Sequence, residues 1–247
     1  MNEKQLFFNP FRMTSPELNA EAHSLEDLHN QPISEPLPLQ EGLLAISNKV
    51  IEITRLLSKC TVSGTQEQID TCESMAQEVH QQGKVLTSRM VSSNTGRDLL
   101  KGLIELPDSV DRIDDMLESI LNCYRIKTHD NVPFSDSAQA ELDQLFAFVL
   151  DMMINIHDAL ETPSKLLLEH IISLGNKVSQ MLLDFGFANR ERLEAGFCAP
   201  LASSIYSDLL DSMKKINEYL IKICVTLLEL GTVSTAAASG PEPATEM

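Results

Sequence analysis

Residues 200–230 read PLASSIYSDLLDSMKKINEYLIKICVTLLEL, and the apolar side chains in this stretch recur at steps of three and four. The series consists of Leu201, Ile205, Leu209, Met213, Ile216, Leu220, Ile223, Leu227 and Leu230. Such spacing places one apolar stripe along a helix, because an α-helix completes a turn in about 3.6 residues. Proline suits the first turn, where its missing N–H would have no helical partner. We therefore predict a long amphipathic helix that begins at Pro200.

The same periodicity recurs in five earlier stretches. Thr65 and Gln68 have the spacing of a capping box before the second stretch, and Ser135 is a capping residue before the fourth. The third has the stripe Leu99, Leu103, Leu106, Val110, Ile113, Leu117, Ile120 and Tyr124, with Pro107 inside it as a kink or restart. The expected helices cover residues 39–59, 65–91, 97–127, 135–160, 164–194 and 200–230. Because short connections favour antiparallel neighbours, the predicted fold class is all-α, with two antiparallel three-helix bundles.

The two halves of this region correspond at an offset of about one hundred residues. Val79 corresponds to Val178, and Ile113 corresponds to Ile216. This predicts a duplicated three-helix unit, with the first copy at residues 39–127 and the second at 135–231. Residues 1–38 are rich in proline and are expected to form a flexible extension, with a short helix after Ser15. Residues 232–247 are expected to be a disordered tail.

The charge and hydropathy of the chain exclude several kinds of partner and location. The chain has 36 acidic and 19 basic residues, which gives a net charge of −17 at pH 7. This charge argues against nucleic acid as a partner and against direct attraction to an anionic membrane, so contact with a membrane is expected only through a partner. The N-terminus shows no secretory signal, and the longest apolar runs are too short to span a bilayer, so a cytoplasmic protein is predicted.

The motifs that usually mark catalysis are missing from the sequence. It contains no glycine-rich phosphate loop, no GxSxG elbow and no HExxH pair, and its six histidines are scattered. The five cysteines have no CxxC spacing, and the four that lie in helical stretches are expected to be buried thiols. We therefore predict that the protein is not an enzyme.

The third predicted helix carries an unusual stripe of carboxylates. Spacings of three, four and three place four acidic residues on one face: Asp108, Asp111, Asp115 and Glu118. Two interpretations remain open, namely a solvated acidic face and a site for a hard cation, which prefers oxygen ligands. The matching face of the sixth helix mixes both signs and reads as an ordinary surface: Asp211, Lys214, Lys215 and Glu218.

Several segments resemble the PhoU family of phosphate-transport regulators. Residues 106–115, LPDSVDRIDD, resemble a helix motif of that family. Residues 192–198 (RLEAGFC) and 204–219 (SIYSDLLDSMKKINEY) resemble the end of PhoU-like domains attached to sodium/phosphate cotransporters. Residues 132–136 (VPFSD) lie where such domains begin their second repeat. The resemblance extends over about residues 39–230.

The resemblance implies two three-helix bundles in a regulator or accessory protein of phosphate uptake. Its partner would be a phosphate transporter or a phosphate-sensing signalling protein, and a homodimer is a further possibility. Some family members bind divalent ions or iron at acidic motifs, which Asp111 and Asp115 match in the first half. The other motif positions depart from the family pattern: Lys214 in the second half, Ala76 and His80 on helix two, and Gly175 and Ser179 on helix five. At most, weak binding of a divalent or iron ion at Asp111 and Asp115 is therefore expected.

Three functional hypotheses follow. The first is a non-catalytic, PhoU-like regulator of phosphate homeostasis that acts through protein contact. The second is a generic helical-bundle adaptor without a phosphate role. The third, a metal-dependent hydrolase, normally needs Glu-x-x-His pairs on facing helices, and none occurs in the six predicted helices. The segment Phe7-Phe8-Asn9-Pro10-Phe11 is expected to dock on the bundle or on a partner, because three phenylalanines are costly to leave in water.

Overall fold

The computed structural model describes residues 38–63, 65–92 and 97–238, and every regular element in these ranges is a helix. The helices are α1 (Pro38–Ser63), α2 (Gln66–Ser92), α3 (Arg97–His129), α4 (Asp136–Glu161), α5 (Lys165–Glu194) and α6 (Pro200–Ala238). All six predicted helices are confirmed, and most of their ends lie within a few residues of the expected positions. No described helix combines the length and the apolar character needed to cross a membrane.

Local capping fixes where several helices begin. The backbone N–H of Gln68 donates to Thr65 Oγ1 at 3.3 Å, and the N–H of Thr65 donates to Gln68 Oε1 at 3.0 Å. This reciprocal pair is the capping box that the sequence predicted. Ser135 and Ser164 each accept a backbone N–H from the next turn at 3.2 Å, at the starts of α4 and α5. The sequence thus specifies these helix starts locally.

Two positions differ from simple expectation. Helix α3 continues through Pro107, which is buried, so this proline marks no restart. Helix α6 extends to Ala238, beyond the predicted boundary at residue 231, so the first part of the expected disordered tail is helical. Alanine has the highest helix propensity, and the run of alanines ending at Ala238 extends the helix until Gly240 and Pro241 follow in the sequence.

The helices form two bundles that pack against each other. Helices α1–α3 pack together in the first half and α4–α6 in the second, while α1 contacts α4 and α3 contacts α6. The α3–α6 pair has the most extensive packing among the described helices. It is antiparallel, because Glu105 in α3 lies 3.9 Å from Lys222 Nζ in α6, whereas Cys123, further along α3, lies near Asp208, earlier in α6. Ile113 and Ile216, the central residues of the two stripes, are almost completely buried.

Some sequence predictions lie outside the described residues. These are the N-terminal extension, with its short helix after Ser15 and the segment Phe7-Phe8-Asn9-Pro10-Phe11, and the end of the tail, residues 239–247.

Candidate functional site

The four stripe carboxylates lie along α3 on a face that solvent reaches. Asp108 and Glu118 are exposed, while Asp111 and Asp115 are half-buried. Helix α2 runs alongside and places His80 Nδ1 2.6 Å from Asp111 Oδ1. The structure thus brings Asp111 of the stripe together with His80, which occupies one of the positions where the PhoU family pattern has a companion acidic residue.

One basic side chain, Arg112, lies beside two of the other stripe carboxylates. Arg112 Nη1 lies 3.5 Å from Asp115 Oδ2, and Arg112 Nε lies 4.0 Å from Asp108 Oδ1. These are exposed i,i+3 and i,i+4 pairs, which contribute about 0.3–0.5 kcal/mol each at most. Their main effect is to place a fixed positive charge beside Asp115, one of the two carboxylates that a cation would need.

The residues of the stripe do not form a ready-made metal site. Within the described ranges, no group of three or more His, Cys, Asp or Glu side chains is arranged to hold a metal ion. A hard cation takes about six or more oxygen ligands, whereas Asp111 and Asp115 are already paired with His80 and Arg112. Weak binding of a divalent or iron ion at Asp111 and Asp115 stays a prediction.

A fifth carboxylate, which the sequence interpretation missed, lies beside the stripe. Asp114 is only 3% exposed, and its Oδ1 atom has no hydrogen-bond partner. Burial, and to a smaller extent the neighbouring carboxylates of Glu118, Asp111 and Asp115, together raise its pKa to about 8. The side chain therefore carries a proton at neutral pH. Its burial could have been inferred from its apolar helical neighbours Val110, Leu117 and Leu121.

The matching position of the second half holds an amide. Asn217 corresponds to Asp114 by the same offset that relates Ile113 to Ile216, and it is fully buried. Its Nδ2 atom donates to the Gly175 carbonyl and to Ser179 Oγ, both at 2.9 Å. These two partners occupy the positions where the family pattern has its companion acidic pair on helix five. A neutral hydrogen-bond network therefore joins α5 to α6 at that place.

Gly175 makes this network possible by letting the two helices approach closely. A Cβ atom added at Gly175 would lie 2.7 Å from Ile221 Cγ1 and 3.1 Å from Asn217 Oδ1. The exposed face of α6 beside this contact carries Lys214 and Glu218, both solvent-accessible, as predicted for a surface stripe.

A second polar cluster links the three helices of the second half at the end where α5 meets α6. Arg192 forms two parallel bonds with Glu141, Nη1 to Oε1 at 2.7 Å and Nη2 to Oε2 at 2.8 Å. The Tyr206 hydroxyl also donates to Glu141 Oε2. Burial and this bond raise the pKa of the Tyr206 hydroxyl, so the group remains a donor. Phe134 packs edge-on against the Tyr206 ring, with centroids 6.1 Å apart.

The cluster joins segments that are far apart in the sequence. Phe134, Arg192 and Tyr206 each come from one of the segments that resemble PhoU-like domains, and the structure brings all three together. Sequence reasoning missed Glu141, because only the fold places its carboxylate between Arg192 and Tyr206. Both partners of the bidentate pair are largely buried, so the pair orients the end of α5 strongly.

The interior offers little for catalysis. An apolar cavity of about 30 Å³ lies where α1, α3, α4 and α6 meet, and Ser47 is the one polar side chain in its lining. This volume holds roughly one water molecule, and the lining has no ionisable group that could transfer a proton. The cavity therefore fits a packing defect better than a substrate pocket.

Comparison with known proteins gives likeness in structure but not in sequence. No family model matches the chain, and no curated protein matches it significantly. Similar solved structures include the phosphate transport system regulatory protein PhoU from Streptococcus pneumoniae (TM-score 0.70, 14% identity) and PhoU from Pseudomonas aeruginosa (TM-score 0.71, 12% identity). Each similarity covers 79% of this chain, and 94% and 96% of those chains, respectively. The chain therefore has the fold of these two PhoU structures over about four fifths of its own length and nearly the whole length of those chains.

Proposed function

We propose that this protein is a non-catalytic regulator or accessory protein of inorganic phosphate transport. It acts through contact with a phosphate transporter or with a phosphate-sensing signalling protein. The observation that carries the proposal is the likeness to the two PhoU structures, which extends over both bundles and nearly all of those chains. The sequence segments that resemble PhoU-like domains support it independently, because three of them meet in the Glu141–Arg192–Tyr206 cluster.

The chemistry of the described residues agrees with a binding role. The polar clusters are engaged internally: His80 pairs with Asp111, Arg192 with Glu141, and Asn217 with Gly175 and Ser179. Such groups orient helices, whereas catalysis requires groups that face a substrate. A cytoplasmic location follows within the proposal, because the cytoplasmic side is where a regulator of uptake meets signalling proteins.

Capture from cells tests the proposal. The tagged protein is crosslinked briefly in phosphate-replete and phosphate-starved cells and purified, and the co-purifying proteins are identified by mass spectrometry. An unrelated acidic helical bundle of similar size and charge serves as the control. Enrichment of a phosphate transporter subunit or a phosphate-responsive sensor over this control is expected. Enrichment of neither would overturn the proposal and leave a helical adaptor without a phosphate role.

A further inference from the structure

The turn between α5 and α6 exposes three apolar side chains within a short stretch. Leu193 is 38% exposed, Phe197 79% and Leu201 46%. Leu201 is the first residue of the stripe that the sequence assigned to the core, so its exposure differs from expectation. It lies in the first turn of α6, before the point at which the stripe becomes buried at Ile205. Single exposed apolar residues are ordinary, but several around one turn mark a candidate interaction surface.

The backbone of this turn is ordered by hydrogen bonds. Gly196 has a φ of +71°, and its N–H donates to the Leu193 carbonyl at 3.0 Å. The Phe197 N–H donates to the Arg192 carbonyl at 2.8 Å, as in a Schellman motif. In that motif the residue at the position of Phe197 often packs back on its own helix, yet this ring faces solvent.

The buried cluster beneath the turn fixes its position. Arg192, whose carbonyl receives the Phe197 N–H, is held by Glu141 through two charge-assisted bonds. The Phe197 ring is therefore presented on a backbone that is already ordered before any partner arrives. An aromatic ring on a preorganised turn loses little conformational entropy on binding, which is the property of an interface anchor.

Charge indicates the kind of partner. Glu191 and Glu194 flank the turn, both are exposed, and neither forms an ion pair with a described residue. Arg190 offsets one of these charges, while the chain as a whole carries −17. Electrostatic attraction therefore favours a basic surface and opposes both an anionic bilayer and a second copy of this chain.

We propose that residues 191–201 form a docking surface for basic cytoplasmic loops of the phosphate-uptake membrane protein. Phe197 enters an apolar pocket between those loops, and Glu191 and Glu194 pair with the basic residues around it. Cytoplasmic loops of membrane proteins carry an excess of Lys and Arg, which supplies the required charge. This assignment depends on the proposed function and adds the surface through which it operates.

The test measures binding of the purified protein to the phosphate-uptake permease of the same organism, reconstituted in nanodiscs of neutral lipid. The variants are Phe197→Ser and the pair Glu191→Gln/Glu194→Gln. The matched control is Phe187→Ser, since Phe187 is 62% exposed on α5 but lies before the turn. Because all these side chains are exposed, circular dichroism and melting temperature should match those of the unaltered protein.

We expect Phe197→Ser to weaken binding at least about tenfold, as removal of an interface anchor does. The double glutamine variant should weaken binding severalfold and reduce its dependence on salt, while Phe187→Ser should bind normally. If the unaltered protein binds and both turn variants bind equally well, the docking surface is wrong and the proposed function stands. If the unaltered protein does not bind, this inference is overturned, whereas the proposed function is decided by capture from cells, because it also allows a phosphate-sensing signalling partner. Equal, Phe197-dependent binding to anionic vesicles without permease, or Phe197-dependent dimerisation, would also overturn the inference.

Discussion

Replacing the buried Asp114 with asparagine should change how the stability of the protein depends on pH. The residue is 3% exposed, and burial together with the nearby carboxylates of Glu118, Asp111 and Asp115 raises its pKa from 3.8 to about 8. An acid whose pKa is higher in the folded state than in the unfolded state binds more protons when folded. The contribution of Asp114 to the free energy of unfolding is therefore greatest below about pH 4 and falls as the pH rises to about 8.

The size of the effect follows from the same two pKa values. Each pKa unit corresponds to about 1.4 kcal/mol, so a rise from 3.8 to about 8 sets an upper limit of roughly 5–6 kcal/mol. Water entry and small movements reduce such figures in real proteins, and we expect about 2–4 kcal/mol between pH 5 and pH 8. Asp114→Asn should remove this loss and make the protein more stable than the unaltered chain at pH 8.

Urea unfolding, followed by circular dichroism at pH steps from 5 to 8, measures this difference. Asp108→Asn is the matched control on the same helix, because the Asp108 side chain is exposed. Asn217→Asp is the reciprocal change, which should introduce a similar loss of stability at high pH into the second half. The same fall in stability with pH for Asp114→Asn and for the unaltered protein would refute the assignment of Asp114 as a buried, protonated acid.

Three further predictions concern packing and metal binding. Gly175→Ala should lower the free energy of unfolding by about 1–3 kcal/mol, because its Cβ would press on the side chain of Ile221. Gly186→Ala in the same helix should raise the free energy of unfolding by about 0.5–1 kcal/mol, because nothing lies within 4 Å of the new Cβ. If urea unfolding ranks the two variants in the opposite order, the close α5–α6 contact at Gly175 is contradicted. Ile113→Ala should cost roughly 2–5 kcal/mol in thermal or urea unfolding, and a loss within error would mean that the α3 stripe faces the wrong way. Elemental analysis of protein purified without chelator should find at most weakly held divalent or iron ions, and these should be lost in the Asp111→Asn/Asp115→Asn variant. Several tightly held ions that remain in this variant would contradict the assigned ligands.

Much of the fold could be predicted because helices leave a local signature. Apolar steps of three and four show where a helix runs, and the Thr65–Gln68 capping box and Pro200 show where two of the helices begin. Each of these signals involves residues that are only a few positions apart in the sequence. The extension of α6 to Ala238 was missed because an alanine-rich, uncharged segment looks like a tail by composition but has high helix propensity.

The polar clusters were harder to predict because their partners come from different helices. The pairing of His80 with Asp111 depends on the register between α2 and α3, which periodicity does not specify. Glu141 lies 51 residues from Arg192, and nothing in its local sequence distinguishes it from a surface glutamate. The spacing of the carboxylates along α3 is also compatible with two arrangements, a metal-ion site or ion pairs with basic side chains. The position of Arg112 in the structure favours ion pairs.

Phosphate uptake in living cells tests the regulatory role most directly. Uptake of radiolabelled inorganic phosphate is measured in cells lacking the gene and in the same cells carrying the unaltered protein or Phe197→Ser, at high and at low external phosphate. We predict that loss of the protein alters uptake at one or both concentrations, that the unaltered protein restores it, and that Phe197→Ser restores it poorly at equal abundance. Uptake that is the same with and without the protein at both concentrations would contradict a role in phosphate transport.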